Sequence, residues 1–158
     1  MANTQSMCTS FLGELMTATH NFGVAPTRGA STADTFKAAL YLTTATVNAA
    51  TTAYSATNEV SGTNYSAGGV SVTNATPPSS TNTSSTAGVG YWTPSASITY
   101  TNVTLSTAFD CVLIYNSTQS NKAVSVHTFG SQTITAGNFT LTMPSNTTST
   151  ALLRLATT

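Results

Sequence analysis

FDCVLIYN, residues 109–116, is the stretch that decides the fold. This nearly continuous apolar run is short for a helix and rich in β-branched and aromatic side chains, so we interpret it as a central, buried strand. The polar stretch NSTQSN (116–121) follows it and carries turn residues, and AVSVHTF (123–129) then places Val124 and Val126 on one face. Two apolar runs on either side of a short polar turn are typical of an antiparallel hairpin.

Similar short runs extend from this hairpin in both directions. The further candidate strands are FKAALYL (36–42), GGVSVTN (68–74), SITYTNVTL (97–105), NFTLTMP (138–144) and ALLRL (151–155). In SITYTNVTL the apolar parity switches after Tyr100, and a bulge near residues 101–102 restores a single buried face. Turn residues in FGSQ (129–132) and TAGN (135–138) separate the later runs. We therefore predict an all-β domain, an antiparallel β-sandwich or jelly roll.

Residues 6–22 form the one predicted helix. Side chains recur there at three- and four-residue steps, at Phe11, Leu12, Leu15, Met16, Thr19 and Phe22; this spacing makes one apolar stripe. Gly23 and Pro26 follow, as expected beyond a helix end. The stripe of this N-terminal amphipathic helix either covers one end of the β core or docks on a partner. We assign residues 1–23 to an N-terminal arm and helix.

PPSSTNTSSTAGVG, residues 77–90, has no charge and no large apolar side chain beyond Val89. The segments on its two sides are each too small to bury a core of their own. We therefore interpret it as a long exposed loop within a single domain, residues 24–158, and not as a linker between two domains. Tyr91 and Trp92 follow the loop. They either anchor it to the core or contact a neighbouring molecule, because interfaces favour these two residue types.

Charge is scarce in this chain. Its 158 residues include four Lys or Arg and four Asp or Glu, so 5% are charged and the formal net charge is zero. A soluble domain usually has about a quarter of its residues charged. No basic patch can neutralise phosphates, so we expect no nucleic-acid partner, and the neutral surface favours self-association. We also expect no secretion signal and no membrane span, because the apolar runs are interrupted.

Motifs for catalysis or metal binding are not found in the sequence. His20 and His127 are the two histidines, and Cys8 and Cys111 the two cysteines. No HxH, CxxC or HExxH spacing joins them, so we expect no metal or cofactor site and a structural role for both histidines. We interpret Cys111 as a small core residue. Serines are too abundant for any Ser-His-Asp match to be informative, and no GxSxG is present.

Several stretches, taken in order, resemble a group of small virion structural proteins of tailed bacteriophages. They are DTFKAALYL (34–42), NEVSGTNYSAGG (58–69), LIYNST (113–118), KAVSVHTFGS (122–131) and the ending FTLTMP…ALLRL (139–155). The resemblance covers most of residues 10–155, and 77–90 departs from it. It implies a non-enzymatic particle component that is assembled in the bacterial cytoplasm. Small β-sandwich proteins of tailed phages serve as cement or decoration proteins on the head, often as trimers, or build tail fibres and adaptors.

The leading hypothesis is a capsid cement or decoration protein on the outer surface of the head. Its partners would be the major capsid protein and copies of itself, with a trimer preferred. By binding across neighbouring shell subunits it would stabilise the assembled state. The predicted contact residues are Phe11, Leu15, Met16 and Phe22 of the helix stripe, with Tyr91 and Trp92 beside the loop. The alternative is a tail, fibre or adaptor component that contacts the host surface. A polysaccharide hydrolase is disfavoured, because the carboxylates are few and unplaced.

Overall fold

A computed structural model of the chain describes residues 3–16, 18–22, 33–81 and 88–156, without the side chains of residues 12, 13 and 16. The elements are β1 (Ser6–Met7), α1 (Thr9–Met16), β2 (Phe36–Leu42), β3 (Val70–Val72), β4 (Ser79–Ser80), β5 (Val89–Trp92), β6 (Ile98–Asn116), β7 (Lys122–Leu141) and β8 (Leu153–Ala156). The protein is mostly β with antiparallel pairing throughout, which confirms the predicted fold class at this level.

A five-stranded sheet with the order β1-β7-β6-β2-β3 makes up most of the molecule. Its centre is the predicted hairpin, in which Leu113 pairs with Val126 and the turn at 117–121 joins the two strands. FKAALYL is a strand over the predicted residues, and it pairs with β6 in the register Phe36 to Asn116. Cys111 is fully buried, as predicted.

The prediction of four short strands over 97–144 was wrong, because they merge into two strands of 19 and 20 residues. FGSQ and TAGN are not turns between strands but places where the register of β7 against β6 shifts. At the second of these, Ala136 has φ 45, and its backbone N–H donates to Thr104 Oγ1 over 3.0 Å. The partner strand continues alongside, so these turn-forming residues make bulges.

The bulge predicted near residues 101–102 is confirmed. The pairing of β6 with β7 shifts between Tyr100 and Val103, and Asn102 has φ 50. The side-chain oxygen of Asn138 accepts the Asn102 N–H over 2.8 Å, which compensates for the ladder bond lost at the bulge. Tyr100 and Val103 are both buried, so the bulge restores one buried face as expected.

A second, three-stranded sheet has the order β4-β5-β8. It uses both ends of the segment 77–90, since Ser79 pairs with Tyr91 and Ser80 with Gly90. The segment expected to be entirely a loop therefore contributes two short antiparallel pairs to this sheet. Residues 82–87 of the segment lie outside the described residues. Trp92, on β5, pairs with Leu153 on β8, and both side chains are buried.

The N-terminal helix is shorter than predicted, since α1 covers Thr9–Met16 and not residues 6–22. Ser6 and Met7 belong instead to a short edge strand that pairs with β7. The helix ends in a Schellman motif, in which the Ala18 N–H donates to Leu15 O and the Thr19 N–H donates to Glu14 O. Ala18 has φ 54, the left-handed conformation that this motif requires. Gly23 and Pro26, expected to end the helix, lie outside the described residues.

Both faces of the five-stranded sheet are covered at its centre. Phe36 and Asn116 are register partners and lie on one face, whereas Tyr115 points to the other. On the first face Phe22 stacks on Phe36, with ring centroids 4.3 Å apart. On the second face Tyr54 stacks on Tyr115 at 4.8 Å. The described residues up to Phe22, which we call the N-terminal segment, and the 43–69 connection thus cover opposite faces of one sheet.

Candidate functional site

An apolar cavity of about 150 Å³ opens between α1 and the three-stranded sheet. We call it the aromatic groove. Its lining residues come from the N-terminal segment, from the start of the 77–90 segment and from β5 and β8, and they are Phe11, Leu15, Phe22, Pro78, Ser79, Gly90, Tyr91, Trp92, Leu153 and Leu155. Four segments of the chain therefore meet at one surface feature.

The floor of the aromatic groove is a cluster of aromatic rings. The ring centroid of Phe22 lies 4.7 Å from that of Trp92 and 5.9 Å from that of Phe11. The Trp92 indole N–H donates to Thr76 O over 3.1 Å, which fixes the orientation of the ring. Because Phe11, Phe22 and Trp92 are all buried, this cluster belongs to the hydrophobic core as well as to the groove.

The rim of the groove is where an incoming molecule would make contact. Leu15 and Tyr91 are partly buried. Leu155 is 43% exposed, and it is the large apolar side chain that the described part of the chain leaves exposed. An exposed Leu beside a partly exposed Tyr, above a floor of aromatic rings, is the composition that protein interfaces favour at their centre.

The structure brings together five of the six predicted contact residues. Phe11, Leu15 and Phe22, predicted as one contact, line the same groove as Tyr91 and Trp92, predicted as another. The side chain of Met16 lies outside the described residues. Sequence reasoning missed Pro78, Leu153 and Leu155; the alternation of Leu153, Arg154 and Leu155 was the signal for the last two, because it places both Leu side chains on one face.

A chain of polar side chains lies behind the floor and ties the N-terminal segment to the sheet. His20 Nε2 lies 2.7 Å from Glu14 Oε2, and His20 Nδ1 lies 3.1 Å from Asn116 Nδ2. Asn116 Nδ2 also donates to Asp34 Oδ2 over 2.7 Å. His20, Asp34 and Asn116 are buried, and such groups are stable in a core only when they are hydrogen-bonded to one another.

Hydrogen bonds fix which ring nitrogen of His20 carries the proton. Asn116 Oδ1 accepts the backbone N–H groups of Thr118 and Gln119, each over 3.1 Å, so the amide nitrogen must face His20 and Asp34. His20 Nδ1 therefore accepts a hydrogen bond, and the ring proton lies on Nε2 and is donated to Glu14. Both histidines were expected to be structural, and the contacts of His20 are of that kind.

Asp34 and Glu14 secure the two ends of this chain. Asp34 Oδ2 accepts the Asn21 N–H over 2.9 Å, and Asp34 Oδ1 accepts from the Gln119 amide over 3.2 Å. Glu14 Oε1 lies 2.6 Å from Lys122 Nζ. Burial acts to raise the pKa of Glu14, but the hydrogen bonds from Lys122 and His20 outweigh it, and the pKa lies below its usual value. Asp34, just before β2, is thus held by amide hydrogen bonds, and Glu14 ties α1 to Lys122 at the start of β7.

A second polar cluster lies on the opposite face of the five-stranded sheet, around Glu59. Its carboxylate accepts the Tyr54 hydroxyl over 2.6 Å, the Tyr65 hydroxyl over 2.7 Å and the Gly68 N–H over 2.8 Å. Burial and the hydrogen bond to Glu59 raise the pKa of both phenols above the usual range. Burial first, and the Glu59 charge second, raise the pKa of Tyr115 to about 12. The cluster clamps the 43–69 connection onto the sheet.

His127 lies on β7, away from both clusters, and its Nε2 is 2.9 Å from Ser125 Oγ. Burial lowers the pKa of His127 to about 4, so the imidazole is neutral at physiological pH. Ser125 and His127 line a cavity of about 320 Å³, and the Ser125 side chain itself is buried. Across residues 3–16, 18–22, 33–81 and 88–156, no three His, Cys, Asp or Glu side chains come close enough to hold a metal ion.

Comparisons with known proteins give no relative for this chain. It matches no protein-family model, no curated protein and no solved structure. Within the described ranges, no helix has the length and apolar character needed to cross a membrane.

Proposed function

We propose that this protein is a non-enzymatic structural component of a tailed-phage virion, and specifically a cement or decoration protein of the head. The aromatic groove is the observation that carries this proposal. Leu155 and Tyr91 at its rim offer apolar contact area, and the buried rings behind them hold that rim in place. Such an arrangement suits docking onto another protein surface and requires no catalytic group.

The mechanism is stabilisation by mass action. A protein that binds the assembled shell and not its separated subunits shifts the equilibrium toward assembly. In this proposal, an apolar side chain of the major capsid protein enters the groove beside Leu15 and Tyr91, and the same copy contacts a neighbouring subunit. In this proposal the particle is assembled in the bacterial cytoplasm, and the protein binds to the outer surface of the head.

The arrangement proposed for the two sheets is a β-sandwich of the jelly-roll kind. Phe36 of the five-stranded sheet and Trp92 of the three-stranded sheet lie 6.2 Å apart between ring centroids, with Phe22 in contact with both. Contact between inward-facing aromatic side chains of two sheets is the packing expected of a sandwich. The helix α1 then closes one end of the space between the sheets.

A second candidate function is a tail, fibre or adaptor component that contacts the host surface. The observation that favours it is a cavity of about 280 Å³, away from the aromatic groove. Hydroxyl and amide groups line this cavity, among them those of Tyr41, Thr46, Thr51, Ser55 and Asn58. Hydroxyl-rich concave surfaces suit the hydrogen bonding of a sugar.

Immunogold labelling of intact phage particles with an antibody to this chain separates the two candidates. Label over the heads supports the cement role, and label on the tail alone contradicts it in favour of the host-contact role. For the cement role, heads stripped of the protein should lose DNA at a lower temperature. Adding back the purified protein should restore them, and the Leu155→Ser plus Tyr91→Ser variant should not. Particles without any label would contradict both candidates.

A further inference from the structure

The free edge of β7 is a second surface with the chemistry of an interface. β7 has 20 residues, and its outer neighbour β1 pairs with it only at Ser125 and Val126. Beyond that point, none of the described strands other than β6 pairs with β7. Residues 130–141, which we call the β7 edge, therefore present backbone N–H and C=O groups to the outside in two extended stretches, one on each side of the bulge at 135–138.

The outer edge of β6, unlike that of β7, is covered by another part of the described chain. Thr63 bridges to Thr104, and the Asn64 side chain donates to Asn102 O over 2.8 Å. The Thr43 N–H donates to Ala108 O over 3.1 Å. The 43–69 connection thus covers the outer edge of β6, whereas the described residues place no such cover along the β7 edge. Most side chains of the β7 edge are exposed.

We propose that the β7 edge pairs with the β7 edge of a second copy of this chain, antiparallel and about a twofold axis. A row of backbone donors and acceptors is matched in full only by another extended backbone. The other edge strands of the described chain have two to four residues each: β1, β3, β4 and β8. Among the edge strands that the structure describes, β7 alone is long enough to pair with both stretches of this edge.

Charge also favours a second copy as the occupant. Residues 128–153 contain no Lys, Arg, Asp or Glu. Natural proteins commonly protect an open edge with Lys or another charge, because two like-charged edges repel each other. Two copies of the β7 edge approach without that repulsion, and their facing Thr side chains form cross-strand pairs.

Twofold pairing also gives a closed assembly. Each copy uses the one long open edge of its described strands in the same contact, so these strands leave no long edge for a third copy, and growth into fibres stops at the dimer. This inference goes beyond the proposed function, since it concerns contact between copies and holds for either location in a virion. The proposed pairing gives a dimer, whereas the resemblance to phage proteins implies a trimer.

The test is the mass of the purified chain in solution, measured by light scattering after size exclusion. The wild type is expected at twice the monomer mass of 16.2 kDa. The pair Thr133→Lys plus Thr135→Lys places like charges across the twofold axis. We expect the dimer dissociation constant to rise at least about tenfold at low salt. Thr133→Glu plus Thr135→Glu should do the same, and mixing the two variants should restore a dimer.

The matched control carries the same added charge on the far side of β6, as Ser61→Lys plus Ala67→Lys, and should remain dimeric. Wild type that is monomeric at every soluble concentration, or trimeric, overturns the proposal. So does a control that dissociates as far as the edge variant, or a Lys and Glu mixture that stays monomeric. If an edge variant fails to fold, hydrogen exchange of the wild type decides: amides of 130–141 must become more protected as concentration rises.

Discussion

Phe22 and Trp92 lie in contact with tilted rings in the floor of the aromatic groove, with ring centroids 4.7 Å apart and planes at 56°. Phe22 belongs to the N-terminal segment and Trp92 to the three-stranded sheet. Each also contacts Phe36 on the five-stranded sheet, at 4.3 and 6.2 Å. These three rings therefore join three parts of the fold, and the groove that we propose as an interface rests on the core itself.

Trp92→Ala is expected to destabilise the fold by about 3–5 kcal/mol, because it leaves a large cavity among the rings and loses the hydrogen bond to Thr76. Leu155→Ser on the exposed rim is the matched control, and it should change stability by less than about 0.5 kcal/mol. Urea unfolding of both variants measures the difference. Equal losses of stability in the two variants would show that the rim contributes to the fold as much as the floor does.

Asn116→Ala is expected to cost about 2–4 kcal/mol, since it removes one hydrogen-bond partner from each of His20 Nδ1, Asp34 Oδ2 and the Thr118 N–H. Asn146→Ala is the control, because within the described chain the buried Asn146 Oδ1 has no hydrogen-bond partner, so its loss should be neutral or stabilising. Long-range ¹⁵N–¹H spectra should show His20 with its proton on Nε2 in the wild type. A proton on Nδ1 would contradict the bonding assigned here.

Local pattern was sufficient to predict much of the fold. FKAALYL and the hairpin around 117–121 follow from apolar runs and turn residues, and the bulge at Asn102 follows from a switch of parity. The merging of four strands into two could not be predicted in this way. Gly, Asn and Ser are equally suited to a turn and to a bulge, and only the continuing partner strand decides between them.

The candidate site, too, could be predicted from the sequence only in part. Apolar spacing marked Phe11, Leu15 and Phe22, and residue type marked Tyr91 and Trp92, but neither signal showed that the two sets meet. Their meeting depends on the path of the chain between them. The end of α1 also depended on geometry, because Ala18 takes the left-handed position for which sequence reasoning expects Gly.

Gly69→Ala is expected to destabilise the fold by more than about 2 kcal/mol. Gly69 has φ +72, and an added Cβ would lie 1.7 Å from Ala38 O, a backbone atom of β2. Gly130→Ala is the control, because a Cβ there meets nothing within 4 Å. Thermal unfolding of the two variants should show a large drop in Tm for the first and little change for the second. A tolerated Gly69→Ala would mean that the 43–69 connection packs less closely on β2.

Glu59→Gln is expected to destabilise the fold by about 1.5–3 kcal/mol, because charge-assisted hydrogen bonds from Tyr54 and Tyr65 become neutral or are lost. Urea unfolding at neutral pH measures the loss. Tyr91→Phe is the control, because Tyr91 lies in the groove and not beside Glu59. An unchanged free energy of unfolding in Glu59→Gln would contradict the assigned contacts.

His127 should make the protein less stable as the pH falls from about 6.5 to about 4. Burial lowers its pKa in the folded state from 6.5 to about 4. Between these values the unfolded chain binds a proton that the folded chain does not, so acid favours unfolding. The free energy of unfolding should fall by at most about 1.4 kcal/mol per pH unit from this group. His127→Gln removes the contribution and leaves every carboxylate of the chain in place. Urea unfolding at a series of pH values should therefore give a shallower slope for His127→Gln, and parallel slopes would show that His127 is not buried as a neutral ring.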